Sequence, residues 1–443
     1  MFASPDAVTR AHGSDFRQPI ISRVPSELYR CVAMEGLDNV ELLPEPEDSR
    51  ILSVVDSAVV GFQDQWRSEV TGWAPMQAVP VPRIRRRKML VTNGVAFSVL
   101  VILLLYVWNS GLLFLEIPPP KSEWAVEQSQ FSDLSDIGLS GEGVRVCMVD
   151  TGIDLSNPAF SNLQVTFKDM IGTSTSPVDY GYVAHGTLMA GILVSNDHQL
   201  GVAPNVDLAM VAALGADEDD LNSGSEDTVA RSIRWCQDEY QAHIISLSLG
   251  GEQNVEMHTE GSSVSAVRRA VDSGIFVVAA AGNDGGGSDD GLVSVPGNVP
   301  RVITVGASTE SQSVWANSSS GSQSLMNGEQ RQHPHMKPEV IAPGENIIST
   351  GVGDTWFSSS GTSDSTVFVT GALSLLLEAF PEYKATSESD GSCIDAVKDA
   401  LMESALKYDD TTTHDDRWGY GQLQALDWYS YLENQSPVCS LSD

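Results

Sequence analysis

A serine hydroxyl is a weak nucleophile at neutral pH, and to attack a carbonyl it needs a base to take its proton and donors to hold the resulting oxyanion. The stretch Ser360 to Gly371, SGTSDSTVFVTG, offers a candidate in Ser363, which sits among small residues where a loop runs into an apolar helix. Gly361 permits close approach, and the unpaired amides of a helix's first turn point toward developing negative charge. Alone, a Gly-Thr-Ser before a helix reads first as an N-cap and a turn.

Three further stretches supply the missing roles. VRVCMVDTGID, Val144 to Asp154, is an apolar run of strand length ending in Asp150, the place where a buried strand delivers a carboxylate to a sheet's rim. HGTLMAGIL, His185 to Leu193, puts a histidine before a glycine and an apolar helical segment, and in VVAAAGNDG, Val277 to Gly285, Asn283 closes an apolar run with a side-chain amide. Each has a bland reading: a helix cap for Asp150, a satisfied polar histidine for His185. Together they make a complementary set of carboxylate, base, oxyanion donor and nucleophile.

In that order DTG, HGT, AAGN and GTS resemble the subtilisin family of serine proteases, whose triad runs Asp, His, Ser along the chain. The separations, 35 residues from Asp150 to His185 and 178 from there to Ser363, are similar to the family's layout, and the match covers about residues 122 to 443. The resemblance implies Asp150, His185 and Ser363 as catalytic residues, and Asn283 with the Ser363 N–H as oxyanion donors. It implies Ser248, Leu249 and Gly250 as an edge that pairs with extended substrate, and the segment from Ala279 to Asn283, with Ala281 and Gly282, as the wall of the main pocket. Many relatives bind calcium, but Ala159 stands where a ligand aspartate is usual and the loop after His185 is short, so no metal or cofactor is assigned. Three positions depart from the pattern: Val367 replaces the usual proline, Met189 a smaller aliphatic residue, and Asp364 sets a carboxylate beside the nucleophile. Asp364 and the missing proline keep a second reading open, a catalytically weak subtilase fold that binds peptides or partners at a membrane.

The elements that must position these groups follow from hydrophobic patterning. Apolar strand-like runs at Val144 to Val149, Val206 to Ala212, Ile244 to Leu249, Ile275 to Ala280 and Val302 to Val305 alternate with helix-like stretches at Gly186 to Val194, Glu226 to Tyr240 and Ser262 to Ser273. That alternation predicts an α/β fold, a mainly parallel central sheet with helices on both faces and its site outside the carboxyl ends of the strands.

Charge and hydropathy divide the chain. The net charge is −34, but residues 1–88 are near neutral with 11 basic and 12 acidic side chains, whereas 122–443 carry 13 basic and 46 acidic. An acidic domain of that kind lacks the basic patch that phosphate backbones require, which argues against nucleic acid as a partner. RIRRRK, Arg83 to Lys88, is followed by the uncharged run Met89 to Leu115. At ~1.5 Å per residue that run exceeds the ~30 Å hydrocarbon core, predicting a transmembrane helix over 89–115 after a partly disordered cytoplasmic head over 1–88. The basic flank on the N-terminal side places the peptidase domain, 122–443, outside the cytoplasm after a Pro-rich spacer over 116–121. Cys147 and Cys236 read as core residues, Cys393 and Cys439 as a pair able to bond outside the cell, and Cys31 as a free thiol. Acidic residues at 217–220, with Asp284, Asp289 and Asp290 beside the pocket, suggest a tilt toward Lys or Arg in substrates.

Overall fold

A computed structural model describes residues 83–109 and 122–443, the latter except 197–200, 252–259, 288, 325–328, 387–388, 409–412, 436–438 and 440–443. Residues 1–82, which hold most of the expected head and Cys31, and the spacer over 116–121 lie outside these. The chain divides into two compact units, Met1–Leu115 and Glu116–Asp443.

In the first unit, the helix α1, Arg83–Asn109, begins with the basic cluster and continues into apolar sequence. Along it Leu90, Phe97, Ile102 and Tyr106 are exposed. Among the described residues no helix is long and apolar enough to cross a membrane. The expected span over 89–115 is therefore not found at that length: α1 spends its first turns on charged residues and is described only to Asn109, with 110–115 outside the described residues.

The second unit is built on a sheet. Short helices α2, Glu123–Gln128, and α3, Phe131–Asp136, precede β1, Arg145–Asp150. Then follow β2, Val165–Asp169; α4, His185–Val194; β3, Asp207–Ala212; and a small hairpin of β4, Gly215–Ala216, with β5, Asn222–Ser223. The chain continues through α5, Glu226–Asp238; β6, Ile244–Leu247; α6, Ser262–Asp272; β7, Phe276–Ala280; β8, Ile303–Ser308; and β9, Val340–Pro343. A second hairpin, β10, Ile347–Thr350, with β11, Trp356–Ser359, leads into α7, Thr362–Ala379, and the unit closes with α8, Ser392–Ser404, and α9, Ala425–Gln435.

Seven strands form one sheet in the order β2-β3-β1-β6-β7-β8-β9, every pairing parallel. Strands β6 to β9 are buried at every position, so both faces of the pleat are covered, as a parallel sheet requires. The helices do this in two groups: α7 packs across β6 to β9 and against α4, while α5 and α6 pack on each other and on β1 and β7. The residues of α7 from Thr362 to Leu377 are buried all round, which suits the apolar and small residues that make up its sequence apart from Asp364. Strands β2 and β9 carry no expectation from patterning, because the half-buried VTFKD and the four-residue VIAP are too weakly patterned or too short to register.

Two disulfides link the unit. Cys393 and Cys439, which the sequence left as able to pair, are bonded to each other. Cys147 and Cys236 are fully buried, as read, but they are bonded to each other and tie β1 to α5. The reading as separate core thiols is corrected because two strand-and-helix positions 89 residues apart in sequence meet across the sheet face. Beneath β8 and β9, the buried Glu339 accepts from both Lys337 Nζ at 2.8 Å and Lys398 Nζ at 2.7 Å.

Candidate active site

Order reverses between β1 and its neighbours β3 and β6, and a crevice opens there at the carboxyl ends of the strands. Asp150 is the last residue of β1, Ser248 follows β6 directly, Asn283 lies three residues beyond β7, and His185 and Ser363 occupy the first turns of α4 and α7. A cleft of about 670 Å³ is lined by His185, Ser248, Leu249, Gly250, Gly282, Asn283 and Ser363.

His185 Nδ1 lies 2.7 Å from Asp150 Oδ1. The aspartate is 1% exposed, and the same oxygen accepts the Thr151 N–H at 2.7 Å. Asp150 Oδ2 is buried without a hydrogen-bond partner. The imidazole keeps one side open to the cleft, with 22% of its side chain exposed. Burial works against its charged form. The charge and hydrogen bond of Asp150, and the charges of Asp364 and Asp179, outweigh that and push the pKa of His185 up to about 9.

Ser363 Oγ donates to Ser248 O, and Ser248 Oγ donates to Ser363 O, each at 3.1 Å. These reciprocal bonds fasten the start of α7 to the end of β6. Thr362 N and Oγ1 donate to Asn283 Oδ1 at 2.9 and 3.0 Å. With its carbonyl end so held, Asn283 lines the cleft beside Thr362 and Ser363. Asp364 is 1% exposed and accepts the Ser359 hydroxyl. Burial pushes its carboxyl up to about 6, against the pull of Ser359 and of the His185 charge.

Two glycines permit the close approach of Asp150 and His185. Gly152 has φ +117°, and a β-carbon there would meet Val178 O at 2.0 Å; one on Gly186 would meet Gly152 O at 2.1 Å. Sequence reading missed the residue that organises this junction. Asp179 accepts from Thr151 Oγ1 and Gly181 N with one oxygen, and from Thr187 N and Oγ1 with the other, at 2.6–2.9 Å. It pins β1 to the first turn of α4. No spacing rule marks it; an aspartate just ahead of a glycine and the His185 segment is the only trace.

Two expectations are corrected. Ala281 is fully buried and lies off the cleft, because the turn after β7 directs its N–H to Val305 O and its carbonyl to Ser294 N, while Ala280 and Gly282 face the opening. The acidic loop 217–220 does not line the cleft, since Asp217 folds back onto the amides of Asp219 and Leu221 between β4 and β5. Its place is taken by Glu226, at the start of α5, with Asp284 on the other side. Asp284, Asp289 and Asp290 bring their carboxylates within 4.8 Å of one another. They are engaged by Ser319, by the N–H groups of Gly291 and Ser320, and by Leu292 N respectively.

Comparison with known proteins agrees with this arrangement. A profile described as "Subtilase family" matches residues 141–421. Subtilisin E of Bacillus subtilis (strain 168) is 32% identical over 266 residues, covering 59% of this chain and 62% of that protein. Serine protease AprX of the same organism is 30% identical over 298 residues, covering 61% and 63%. The chain thus spans less than two thirds of the length of these relatives. Among solved structures, a serine-to-alanine mutant of the protease domain of PatA matches with a TM-score of 0.54 at 25% identity, over 69% of this chain and 99% of that one. The prenylagaramide maturation protease PagA matches with a TM-score of 0.53 at 24% identity, a likeness of fold, over 68% and 98%. With a profile match over most of its length and a seven-stranded parallel sheet, the chain belongs to the subtilase family.

Proposed function

We propose that the chain is a serine endopeptidase that hydrolyses protein substrates through an acyl-enzyme intermediate. The observation that carries the reading is the 2.7 Å contact between His185 and the buried Asp150, with Ser363 and Asn283 on the same cleft. Asp150 holds the imidazole with Nδ1–H toward the carboxylate, leaving Nε2 for the serine proton. For this step Ser363 Oγ must leave Ser248 O and donate to Nε2 instead. The imidazole takes the proton as Oγ attacks the scissile carbonyl, and returns it to the leaving amine. Asn283 Nδ2 and the N–H groups at the start of α7 receive the oxyanion. Extended substrate lies along Ser248 to Gly250, and the acidic lining from Glu226 and Asp284 favours Lys or Arg side chains.

We infer further that residues 89–115 tether this unit to a bilayer, with the peptidase outside the cytoplasm. The basic flank, the uncharged run and the two disulfides, which persist in oxidising compartments, support that placement. The second reading, a peptide-binding subtilase fold of weak activity, is favoured by the Ser363 hydroxyl's engagement with Ser248 and by Asp364.

The test is to incubate the purified chain with a peptide library and with a fluorophosphonate, alongside Ser363→Ala. Hydrolysis and labelling by the wild type, both abolished by the substitution, are expected, with Lys and Arg enriched beside the cut bonds. A wild type that neither cuts nor labels makes the binding-module reading correct, and cut sites depleted of Lys and Arg overturn the preference alone.

A further inference from the structure

His185 follows directly on a stretch of backbone that its own residue types do not favour. Val183 has φ +49° and ψ +21°, and Ala184 has φ +53° and ψ +59°, two successive left-handed residues of which neither is glycine. A β-branched side chain is poorly suited to that region, and such outliers persist only where their surroundings over-determine them. Burial does not supply the hold, since Tyr182 and Val183 are 49% and 46% exposed, and Ala184, which caps α4, offers no side-chain hydrogen bond. Hydrogen bonds to the backbone supply it. Gly181 N–H donates to Asp179 Oδ1 at 2.8 Å, Ala184 N–H to Gly181 O at 3.2 Å, and Tyr182 N–H to Asn222 Oδ1 at 2.6 Å. Asn222 belongs to β5 and is paired with Ala216 of β4, whose own N–H donates to Tyr180 O at 2.8 Å. The hairpin therefore grips the chain on either side of Gly181, just ahead of the base. Asn222 also lines the cleft, as His185 does.

We propose, resting on the reading of the chain as a serine peptidase, that Asn222 is a positioning residue whose side-chain oxygen clamps the left-handed pair Val183 and Ala184 and so holds His185 on Asp150. A return of Val183 to a relaxed φ turns the chain that delivers His185, and the 2.7 Å contact of its ring with Asp150 depends on where that chain points. Asp179 fixes the near side of the turn through Thr151 and Thr187. Asn222 fixes the far side, from a strand that belongs to the cleft wall. The valine sets the load on the clamp. A glycine at 183 adopts the same φ without the steric penalty and leaves the clamp little to do.

The experiment uses the full chain with Asn222→Ala, with Asn222→Asp, with Val183→Gly, and with Asn222→Ala and Val183→Gly together. Two quantities are measured: kcat and KM on a generic peptide at the plateau of the pH profile, and the rate at which diethyl pyrocarbonate modifies His185, read by mass spectrometry of the peptide that carries it. The second needs no catalysis. In Asn222→Ala, kcat falls about tenfold with KM nearly unchanged, and His185 is modified several-fold faster as its ring leaves Asp150. Asn222→Asp, which keeps the acceptor, restores both values to within about threefold, and so does Val183→Gly in the Asn222→Ala background. A loss confined to KM makes Asn222 a substrate contact, and a loss that neither change restores makes it a structural residue. Either result overturns the proposal, as does the absence of any loss. If the wild type cuts no peptide while the modification rates still follow this pattern, the peptidase reading fails and the clamp stands. Asn222→Ser is measured in parallel, and loss of folding in both it and Asn222→Ala rejects the assignment.

Discussion

Asn283 is gripped at one end. Thr362 gives its amide N–H and its hydroxyl to Oδ1, and Thr362 itself is fully buried, so the side chain on the cleft lining is held in place and is not reorganised during reaction. A fixed dipole of this kind is worth far more than a mobile one, because its alignment costs nothing when charge develops. Asn283→Ala is therefore expected to lower kcat by roughly 10²–10³ with little change in KM. Steady-state kinetics check this, and an equal rise in KM with kcat preserved would show that the amide binds ground-state substrate instead. The residue scale is also where sequence was most informative. Asp150, His185, Ser363 and Asn283 could be named because DTG, HGT, AAGN and GTS stand in the order that resembles the subtilisin family, each alone having an ordinary cap or turn reading. Asp179 and Glu226 could not, since an aspartate between valine and tyrosine, or a glutamate at a helix start, has an ordinary surface explanation until the fold brings it to the cleft. Ala281 was misplaced for a related reason: along AAAGN, sequence does not say which alanine faces the opening.

Elements carry the site by where they end. The strand β1 must hold Asp150 at the sheet's switch point, and its neighbours on both sides pair with it in parallel register, Cys147 opposite Ala209 and Ile245. Its Cys147 is also bonded to Cys236 of α5, so the catalytic strand is covalently tied to the helix whose first residue, Glu226, lines the cleft. That bond closes a long loop, and restricting the unfolded chain is how such a link stabilises. Replacing both cysteines by alanine is expected to lower unfolding free energy by ~2–5 kcal/mol, while activity of the folded protein persists. Denaturant titration of wild type and double variant checks the first, a peptide assay at low temperature the second. A change below about 1 kcal/mol would mean that packing alone holds β1 on α5. Patterning found five of the seven sheet strands and three helices within a few residues, because buried parallel strands are continuous apolar runs. It missed β2 and β9, at the two edges of the sheet order, where one strand is half-exposed and the other is four residues long.

At the scale of the whole molecule, charge and redox chemistry point the same way. Residues 122–443 hold 46 acidic side chains against 13 basic, whereas the segment up to Lys88 is balanced and ends in a cluster of four arginines and a lysine. Positive flanks stay on the cytoplasmic side of a bilayer, and an acidic unit is not retained there by anionic headgroups. The disulfides Cys147–Cys236 and Cys393–Cys439 sit within the acidic unit, and glutathione-poised cytosol would work against both. In cells making the chain, it is expected to stay with the membrane fraction after an alkaline carbonate wash. A protease added outside intact cells is expected to remove epitopes placed after residue 122 and to spare one placed before residue 83. The carbonate wash reads the tether and the protease reads its direction, so the two parts of the claim fail separately. Release of the whole chain into the wash means that 89–115 is a surface-bound or internal helix, for which exposed Leu90, Phe97 and Ile102 on α1 would need a protein partner instead of lipid. Retention with the opposite protease pattern keeps the anchor but places the peptidase in the cytoplasm, where two disulfides would have to form against the prevailing redox poise.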